Sequence, residues 1–169
     1  GLRDHGIQAV LTGGACASLY SDGAYHSRDL DFVVIGETTQ ALMDAAMAVS
    51  GFARRGDRYV HPRARFYVEF PRGPLAIGGE HRIRPVMRAT AHGRIRMLSA
   101  TDSCRDRLAA FYHWGDRQSL TVAAWIAEWE ALPKGYALMD RDLEAPLVAQ
   151  GVPMRVLARD ARRVLVSRS

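Results

Sequence analysis

The stretch "LTGGACASLYSDGAYHSRDLDFVV", residues 11–34, decides the fold of this chain. It begins with the end of a short apolar run, turns at Gly13-Gly14 and continues with a small-residue segment of helical composition. It ends in a second apolar run that opens with Asp29 and Asp31. Short apolar runs bounded by turn residues are typical of buried strands. The stretch therefore predicts a strand, a helix and a second strand with two carboxylates at its start.

Helical and strand patterns continue on the C-terminal side of this stretch. The predicted elements are a helix over 37–52, strands over 58–61 and 64–70, and one or two strands over 83–98. From Ser99 onward the pattern is helical, with two longer segments and then short amphipathic helices broken by Pro146 and Pro153. We therefore predict an α/β (α+β) fold. Residues 1–98 form the sheet-containing core, and residues 99–169 form a helical C-terminal region packed on it.

The bulk composition supports a folded, non-membrane protein. The 169 residues are 48% hydrophobic, which supplies a packed core and argues against intrinsic disorder. No stretch approaches the ~20 apolar residues that a membrane span needs, and residues 1–20 lack the order of a signal peptide. We expect a cytoplasmic protein without a membrane partner.

The basic residues are almost all arginines, because Lys134 is the single lysine among 23 basic residues. The formal net charge is +5. The planar guanidinium group suits bidentate contact with phosphate, so the excess favours a phosphate-bearing partner. The alternative is that the arginines reflect genomic base composition and form a solvated surface, and the sequence leaves both explanations open.

Asp29 and Asp31 point to the same side of the predicted strand, because residues two apart on a strand share a face. Leu30 and Phe32 point to the other side. Two carboxylates so close repel each other, and each pKa is raised unless a positive charge neutralises both. A hard divalent cation with oxygen ligands is the simplest solution, and Mg²⁺ or Mn²⁺ leaves room for a substrate phosphate. The pair therefore predicts a metal site.

Glu69 is the candidate third acid of this site. It stands on an alternating strand whose Phe66, Val68 and Phe70 are expected to hold the buried face, which leaves Glu69 on the opposite face. If this strand lies beside the strand that carries the two aspartates, three carboxylates converge. A metal site that assists displacement at phosphorus requires such a cluster.

The two glycines and the residues before the aspartates are candidate phosphate contacts. Gly13 and Gly14 lie between a strand and a helix, where the backbone can approach a ligand and the first N–H groups of the helix attract anions. His26 and Arg28 come just before the acids and would meet the same phosphates. Either of these two can equally be a solvated loop residue.

The ordered set of glycines, Asp-x-Asp pair and later glutamate resembles the nucleotidyltransferase (polymerase-beta-like) fold superfamily. Over residues 7–120 it is most similar to bacterial stand-alone nucleotidyltransferase-like proteins related to abortive-infection toxins. The resemblance implies a mixed sheet flanked by helices. It also implies that Asp29, Asp31 and Glu69 bind the metals, with Glu69 as a candidate base, and that the glycine turn holds nucleotide phosphates.

Two positions depart from the pattern of this family. Gly14 stands where some members have a serine, and Arg105 in the helical segment stands where a lysine is frequent. By the resemblance Arg105 contacts a nucleotide phosphate, while its spacing from Asp102 also allows an ordinary surface ion pair. Asp116 of the same segment is a further residue that could shape the site.

The resemblance implies a metal-dependent nucleotidyltransferase that moves a nucleoside monophosphate from an NTP to an acceptor hydroxyl. A tRNA or other RNA end is the favoured acceptor, a protein or small molecule the other option, and an antitoxin protein a further partner. The alternative is a non-catalytic module of the same fold that binds RNA or a protein partner. A metal-dependent phosphohydrolase is less favoured, because the sequence has no His-Asp dipeptide.

Overall fold

The computed structural model describes two continuous N-terminal ranges and several shorter ones towards the C-terminus. The described residues are 1–21, 25–131, 136–140, 145, 148–149, 154–159 and 163–168. The helices are α1 (Gly13–Tyr20), α2 (Gln40–Ala48), α3 (Ala100–Trp114) and α4 (Arg117–Ala131). The strands are β1 (Gln8–Leu11), β2 (Asp29–Ile35), β3 (Ala53–Arg55), β4 (Arg58–Val60), β5 (Tyr67–Glu69), β6 (Val86–Thr90), β7 (Gly93–Met97), β8 (Tyr136–Asp140), β9 (Met154–Arg159) and β10 (Arg163–Arg168).

The first seven strands form one mixed sheet in the order β3-β4-β5-β2-β1-β7-β6. The β2–β5 and β1–β7 pairs are parallel, and the other neighbours are antiparallel. Strand β2 is the middle strand of the seven. The predicted α+β class and the mixed sheet flanked by helices are therefore confirmed.

Cap residues begin α2 and α3, and α2 is shorter than the predicted helix over 37–52. The Thr39 hydroxyl accepts the Leu42 N–H at 3.2 Å and starts α2, while Ser99 accepts the Asp102 N–H at 3.1 Å and starts α3. Helix α3 ends at Gly115, whose φ of 69° lies in the left-handed region. Among the described residues, no helix is long and apolar enough to cross a membrane.

The end of the chain differs from the prediction. Where short amphipathic helices are expected, β8, β10 and β9 form a three-stranded antiparallel sheet in that order. The sequences "MRVLAR" and "RVLVSR" both contain valine, a β-branched residue that favours strands. In both, arginine or serine residues flank the apolar ones. The helical prediction for these three segments is therefore wrong, whereas it is correct for α3 and α4.

Two groups of buried side chains hold the sheet and helices together. The first joins β1 and β7 to α1 and α4, with Leu11, Met97 and Ile126 almost fully buried. The second lies under α2, where Met43 and Met47 pack with β4 and β5. Two side chains of β2, Leu30 and Phe32, contact both groups. Strand β2 is thus fixed from two sides, and a site built on it rests on a rigid element.

Candidate metal centre

The pairing of β2 with β5 brings three acidic side chains together. In this parallel pair Asp31 lies opposite Glu69, and Asp29 lies opposite Tyr67. One carboxylate oxygen from each of the three acids lies within 4.8 Å of those of the other two, and all three residues are half-buried. The strand adjacency on which the predicted convergence depended is therefore present.

Asp31 is the most perturbed member of this cluster. Burial, followed by the charges of Asp29 and Glu69, raises the pKa of Asp31 from 3.8 to about 6. The positive charge of Arg107 on α3 acts in the opposite direction. The cluster is thus short of positive charge, and a bound cation would relieve the repulsion among its carboxylates.

A serine orients Asp29. The Ser27 hydroxyl donates a short hydrogen bond to the Asp29 carboxylate, and the Ser27 N–H donates to the Ser18 hydroxyl at 3.1 Å. Because Ser18 belongs to α1, these bonds connect the helix to the start of β2. The carboxylate is therefore held before any ligand arrives, which is what a preorganised site requires.

The glycine turn packs directly against the acids. Gly13 has a φ of +62°, and a Cβ atom at this position would overlap the Asp31 carboxylate. A Cβ atom on Gly14 would lie 2.7 Å from the Ser27 hydroxyl. The Thr12 N–H donates to the Asp31 carbonyl at 2.9 Å, which fixes the turn beside β2. Close packing against Asp31 and Ser27 therefore explains why glycines stand at these two positions, which the sequence did not reveal. Their contact with phosphate stays a prediction.

Replacing Gly13 with alanine is expected to lower Mn²⁺ affinity about tenfold and stability by about 1–2 kcal/mol, because positive φ strains an alanine and its Cβ displaces Asp31. Gly78→Ala is the matched control, since Gly78 has a φ of +55° with nothing within 4 Å of a built Cβ. Thermal unfolding and metal titration of both variants measure the two effects. An equal affinity for Mn²⁺ in both variants would contradict the role of the close approach.

The basic residues predicted to contact phosphate lie at the surface. Arg28 and His26 are exposed, and the Arg28 carbonyl accepts the Tyr67 N–H at 3.1 Å, which helps to join β2 to β5. Arg105 forms an ion pair with Asp102 at 2.9 Å on the surface of α3, the ordinary pair that its spacing allowed. Phosphate contacts by Arg28 and Arg105 stay predictions.

Sequence reasoning missed Arg107, the arginine whose charge acts on Asp31. Its guanidinium is 13% exposed and donates to Asp106 through Nη2 at 2.7 Å and to Ser119 through Nη1 at 3.2 Å. The Ser119 hydroxyl donates to Asp116 at 2.6 Å. These bonds join α3 to the start of α4, and the only sequence signal was an Asp-Arg pair inside a helix. Asp116 is thus connected to Arg107 through Ser119.

An aromatic ring and an arginine border the cluster on the side of β4. Arg58 pairs in register with Glu69, and its guanidinium carbon lies 4.7 Å from the centroid of the Tyr67 ring. Burial first, and then the charges of Asp29 and Glu69, raise the pKa of the Tyr67 hydroxyl. This stacked pair adds a positive charge beside the acids, on the same side of the sheet.

The comparisons with known proteins concern the C-terminal part of the chain. Residues 103–168 match the aminoarabinose transferase C-terminal domain. This segment is less than half of the chain, and it contains Arg107 and Ser119. No curated protein and no solved structure matches the chain.

The matched family corrects the assignment drawn from the sequence. The identification with the nucleotidyltransferase superfamily and its toxin-type members is wrong, because the matching family is a sugar-transferase domain and not a nucleotidyltransferase. The predictions of an NTP-using enzyme and of a toxin–antitoxin role are therefore also wrong. No finding supports the non-catalytic alternative. The motif misled because glycines and three acids describe a local arrangement for metal and phosphate, which different families can carry.

Proposed function

We propose that this protein binds one divalent cation, Mg²⁺ or Mn²⁺, through Asp29, Asp31 and Glu69 and uses it to hold a phosphate-bearing substrate. The convergence of these three carboxylates within 4.8 Å is the observation that carries the proposal. Oxygen ligands of this kind suit hard cations, and Mg²⁺ in particular is often bound by few carboxylates together with substrate phosphate.

The donor set fits such a cation on chemical grounds. Burial, and then the charges of Asp29 and Glu69, raise the pKa of Asp31, and the charge of Arg107 does not offset them. When bound, a divalent cation neutralises charge on the phosphate oxygens and on the leaving group. Asp29 is already held by Ser27, so little reorganisation is needed when the cation enters.

The chain's own groups would hold the rest of the phosphate. The first N–H groups of α1 have no partner within the helix, and they start at the glycine turn beside Asp31. Arg107 on α3, whose charge acts on Asp31, supplies a further positive charge and is kept in place by Asp106 and Ser119. An anionic group bound at the acids through a cation would therefore meet positive potential from the start of α1 and from Arg107.

The match of residues 103–168 supports sugar transfer as the reaction, and the acid cluster supports a phosphate group on the sugar. The matched family is named for aminoarabinose transfer, and the matched segment includes Arg107, whose charge acts on Asp31. In such a transfer the bond between the sugar carbon and the phosphate oxygen breaks, and the acceptor oxygen forms the new bond. The cation and Arg107 would stabilise the negative charge that the departing phosphate keeps.

A titration with Mn²⁺, followed by electron paramagnetic resonance, tests the metal site. One ion per chain is expected to bind, and Glu69→Gln is expected to weaken binding at least tenfold, because it removes a charged ligand. Asp57→Asn is the matched control, since Asp57 is an exposed acid outside the cluster. Binding that is equal in the wild type and Glu69→Gln would overturn the metal site.

Calorimetric titration with glucose 1-phosphate tests the substrate class. Binding is expected in the presence of Mn²⁺ and at least tenfold weaker in EDTA, while free glucose is not expected to bind. Equal binding with and without the metal ion would overturn the use of the cation to hold phosphate. If inorganic phosphate binds with the metal ion as tightly as glucose 1-phosphate does, the metal site is supported and the sugar substrate is overturned.

A further inference from the structure

A cavity of about 550 Å³ opens between β1 and β7, and we call it the β1–β7 cavity. The pairing of these strands is limited to Leu11 and Met97, so the ladder does not extend to the other ends of the strands. The cavity lies at those other ends, next to the short 3-10 helix Leu2–His5. Its volume lies in the range of small-molecule pockets, about 300–1,000 Å³.

The lining of this cavity is apolar and basic. Arg3, Arg94 and Arg96 line it, and no acidic residue is among the described residues that do so. Its main apolar side chains are Ile7, Phe32 and Met87. Three cations around one cavity without a lining acid create a positive potential that attracts an anion.

Two details indicate a site with distinct apolar and charged parts. Met87 is 41% exposed although it faces the cavity, so its surface is available to an apolar ligand. Arg96 is already oriented, because its Nη1 donates to the Gln8 side chain at 2.7 Å. Arg94 and Arg96 are two residues apart on β7 and therefore lie on the same side of that strand.

We propose that the β1–β7 cavity binds a small amphipathic anion, a hydrocarbon chain that ends in a phosphate or carboxylate. The chain covers Met87, which lies opposite Arg96 in the β6–β7 pair, and the anionic end is bound by Arg94 and Arg96. Arginine forks bind phosphate and carboxylate in a bidentate manner, which gives the head group an orientation. The occupant is a free molecule in solution rather than a lipid surface, because a volume of about 550 Å³ takes one such chain.

This site is separate from the candidate metal centre. None of Asp29, Asp31 and Glu69 lines the cavity, and Arg107 does not line it either. The proposal therefore does not depend on a bound metal ion. It is tested in EDTA, so that a failure of the metal site and a failure of this site give different results.

Calorimetric titration with octyl phosphate, in EDTA, tests the proposal. One molecule per chain is expected to bind, at least tenfold more tightly than octanol or inorganic phosphate. Octanol lacks the anionic group, and inorganic phosphate lacks the hydrocarbon chain. Glu69→Gln is expected to bind octyl phosphate as the wild type does. Octanol that binds as tightly as octyl phosphate would overturn the role of the arginines.

The matched variants are Arg94→Gln and Arg88→Gln, on the two strands of one hairpin. Arg88 does not line the cavity, and its guanidinium carbon lies 5.4 Å from the Tyr20 ring centroid. Arg94→Gln is expected to weaken octyl phosphate binding about tenfold, and Arg88→Gln less than twofold. Equal weakening by both would mean diffuse surface charge and overturn the site. If Arg94→Gln does not fold, Arg3→Gln on the 3-10 helix makes the same test.

Vesicles of phosphatidylcholine and phosphatidylglycerol distinguish a lipid surface from a free molecule. The proposal expects octyl phosphate to bind in the absence of vesicles and to saturate at one molecule per chain. Binding to the vesicles without saturable binding of octyl phosphate would overturn it in favour of a membrane surface.

Discussion

Asp31→Asn is expected to make the metal-free protein more stable and to remove nearly all of its affinity for Mn²⁺. The carboxylate of Asp31 is half-buried beside two other acids, and its pKa is raised from 3.8 to about 6. A shift of two pKa units corresponds to about 2.7 kcal/mol between the two protonation states. Asparagine has a similar shape without the charge, so we expect a gain of about 1–3 kcal/mol in the free energy of unfolding at pH 7.5.

The sign of the pH dependence follows from the direction of the shift. Because the folded-state pKa of Asp31 lies above its ordinary value, the folded protein binds the proton more tightly than the unfolded chain. The cost of the ionised Asp31 is therefore absent below about pH 4, grows between about pH 4 and 6, and is complete above that range. The stability advantage of Asp31→Asn should shrink as the pH falls through this window.

Addition of Mn²⁺ should reverse the order of stability. A ligand at about 1,000 times its dissociation constant stabilises the folded state by about 4.1 kcal/mol, which exceeds the gain expected for Asp31→Asn, and only the wild type has the full set of ligands. Urea unfolding in EDTA and in saturating Mn²⁺ measures both states of both proteins. Asp57→Asn, which removes one exposed acid of the same charge, should change neither result. An Asp31→Asn protein that is less stable in EDTA would contradict the repulsion that we infer.

The acid cluster was predictable from the sequence because it depends on local rules. The alternation of side chains along a strand places Asp29 and Asp31 together, and the alternation around Glu69 gives its face. Only the adjacency of β2 and β5 had to be assumed, and the structure supplies it. The same alternation was less accurate for burial, since Phe66 is 40% exposed while Val68 is buried.

The remaining features depend on tertiary contacts that no local pattern carries. Arg107 reaches its partners because α3 packs against α4, and the sequence does not give the rotation of one helix on the other. Gly13 meets Asp31 only after β1 and β2 have paired. Strand β3 was missed because all three of its residues are exposed, so no apolar alternation marks it. The motif predicted the acid cluster, whereas the family match lies in residues 103–168, outside the motif.

Arg107→Gln is expected to lower the free energy of unfolding by about 2–4 kcal/mol and the affinity for glucose 1-phosphate at least tenfold. The Arg107 side chain is only 13% exposed, and its loss leaves the half-buried carboxylate of Asp106 without its cation. Removing one partner of a buried ion pair typically costs 3–5 kcal/mol, and partial exposure lowers the figure here. The substrate loses a positive charge that acts on the acid cluster.

Arg105→Gln is the matched control on the same helix. The Arg105 side chain is 44% exposed, and its partner Asp102 keeps a hydrogen bond from the Ser99 hydroxyl at 3.0 Å, so the removal of Arg105 should cost less than about 1 kcal/mol. Urea unfolding followed by circular dichroism compares the two variants, and calorimetry compares their affinities. Equal effects on affinity would show that any arginine of α3 acts through long-range charge, contrary to a specific role for Arg107.

A double variant separates the structural role of Arg107 from its role at the site. In Arg107→Gln/Asp106→Asn the unpaired carboxylate is gone, so the stability should recover by at least half, as expected when an uncompensated charge causes the loss. The affinity for glucose 1-phosphate should not recover, because the positive charge is still absent. Recovery of both would mean that Arg107 only holds α3 in place. Recovery of stability alone assigns the guanidinium to the bound phosphate.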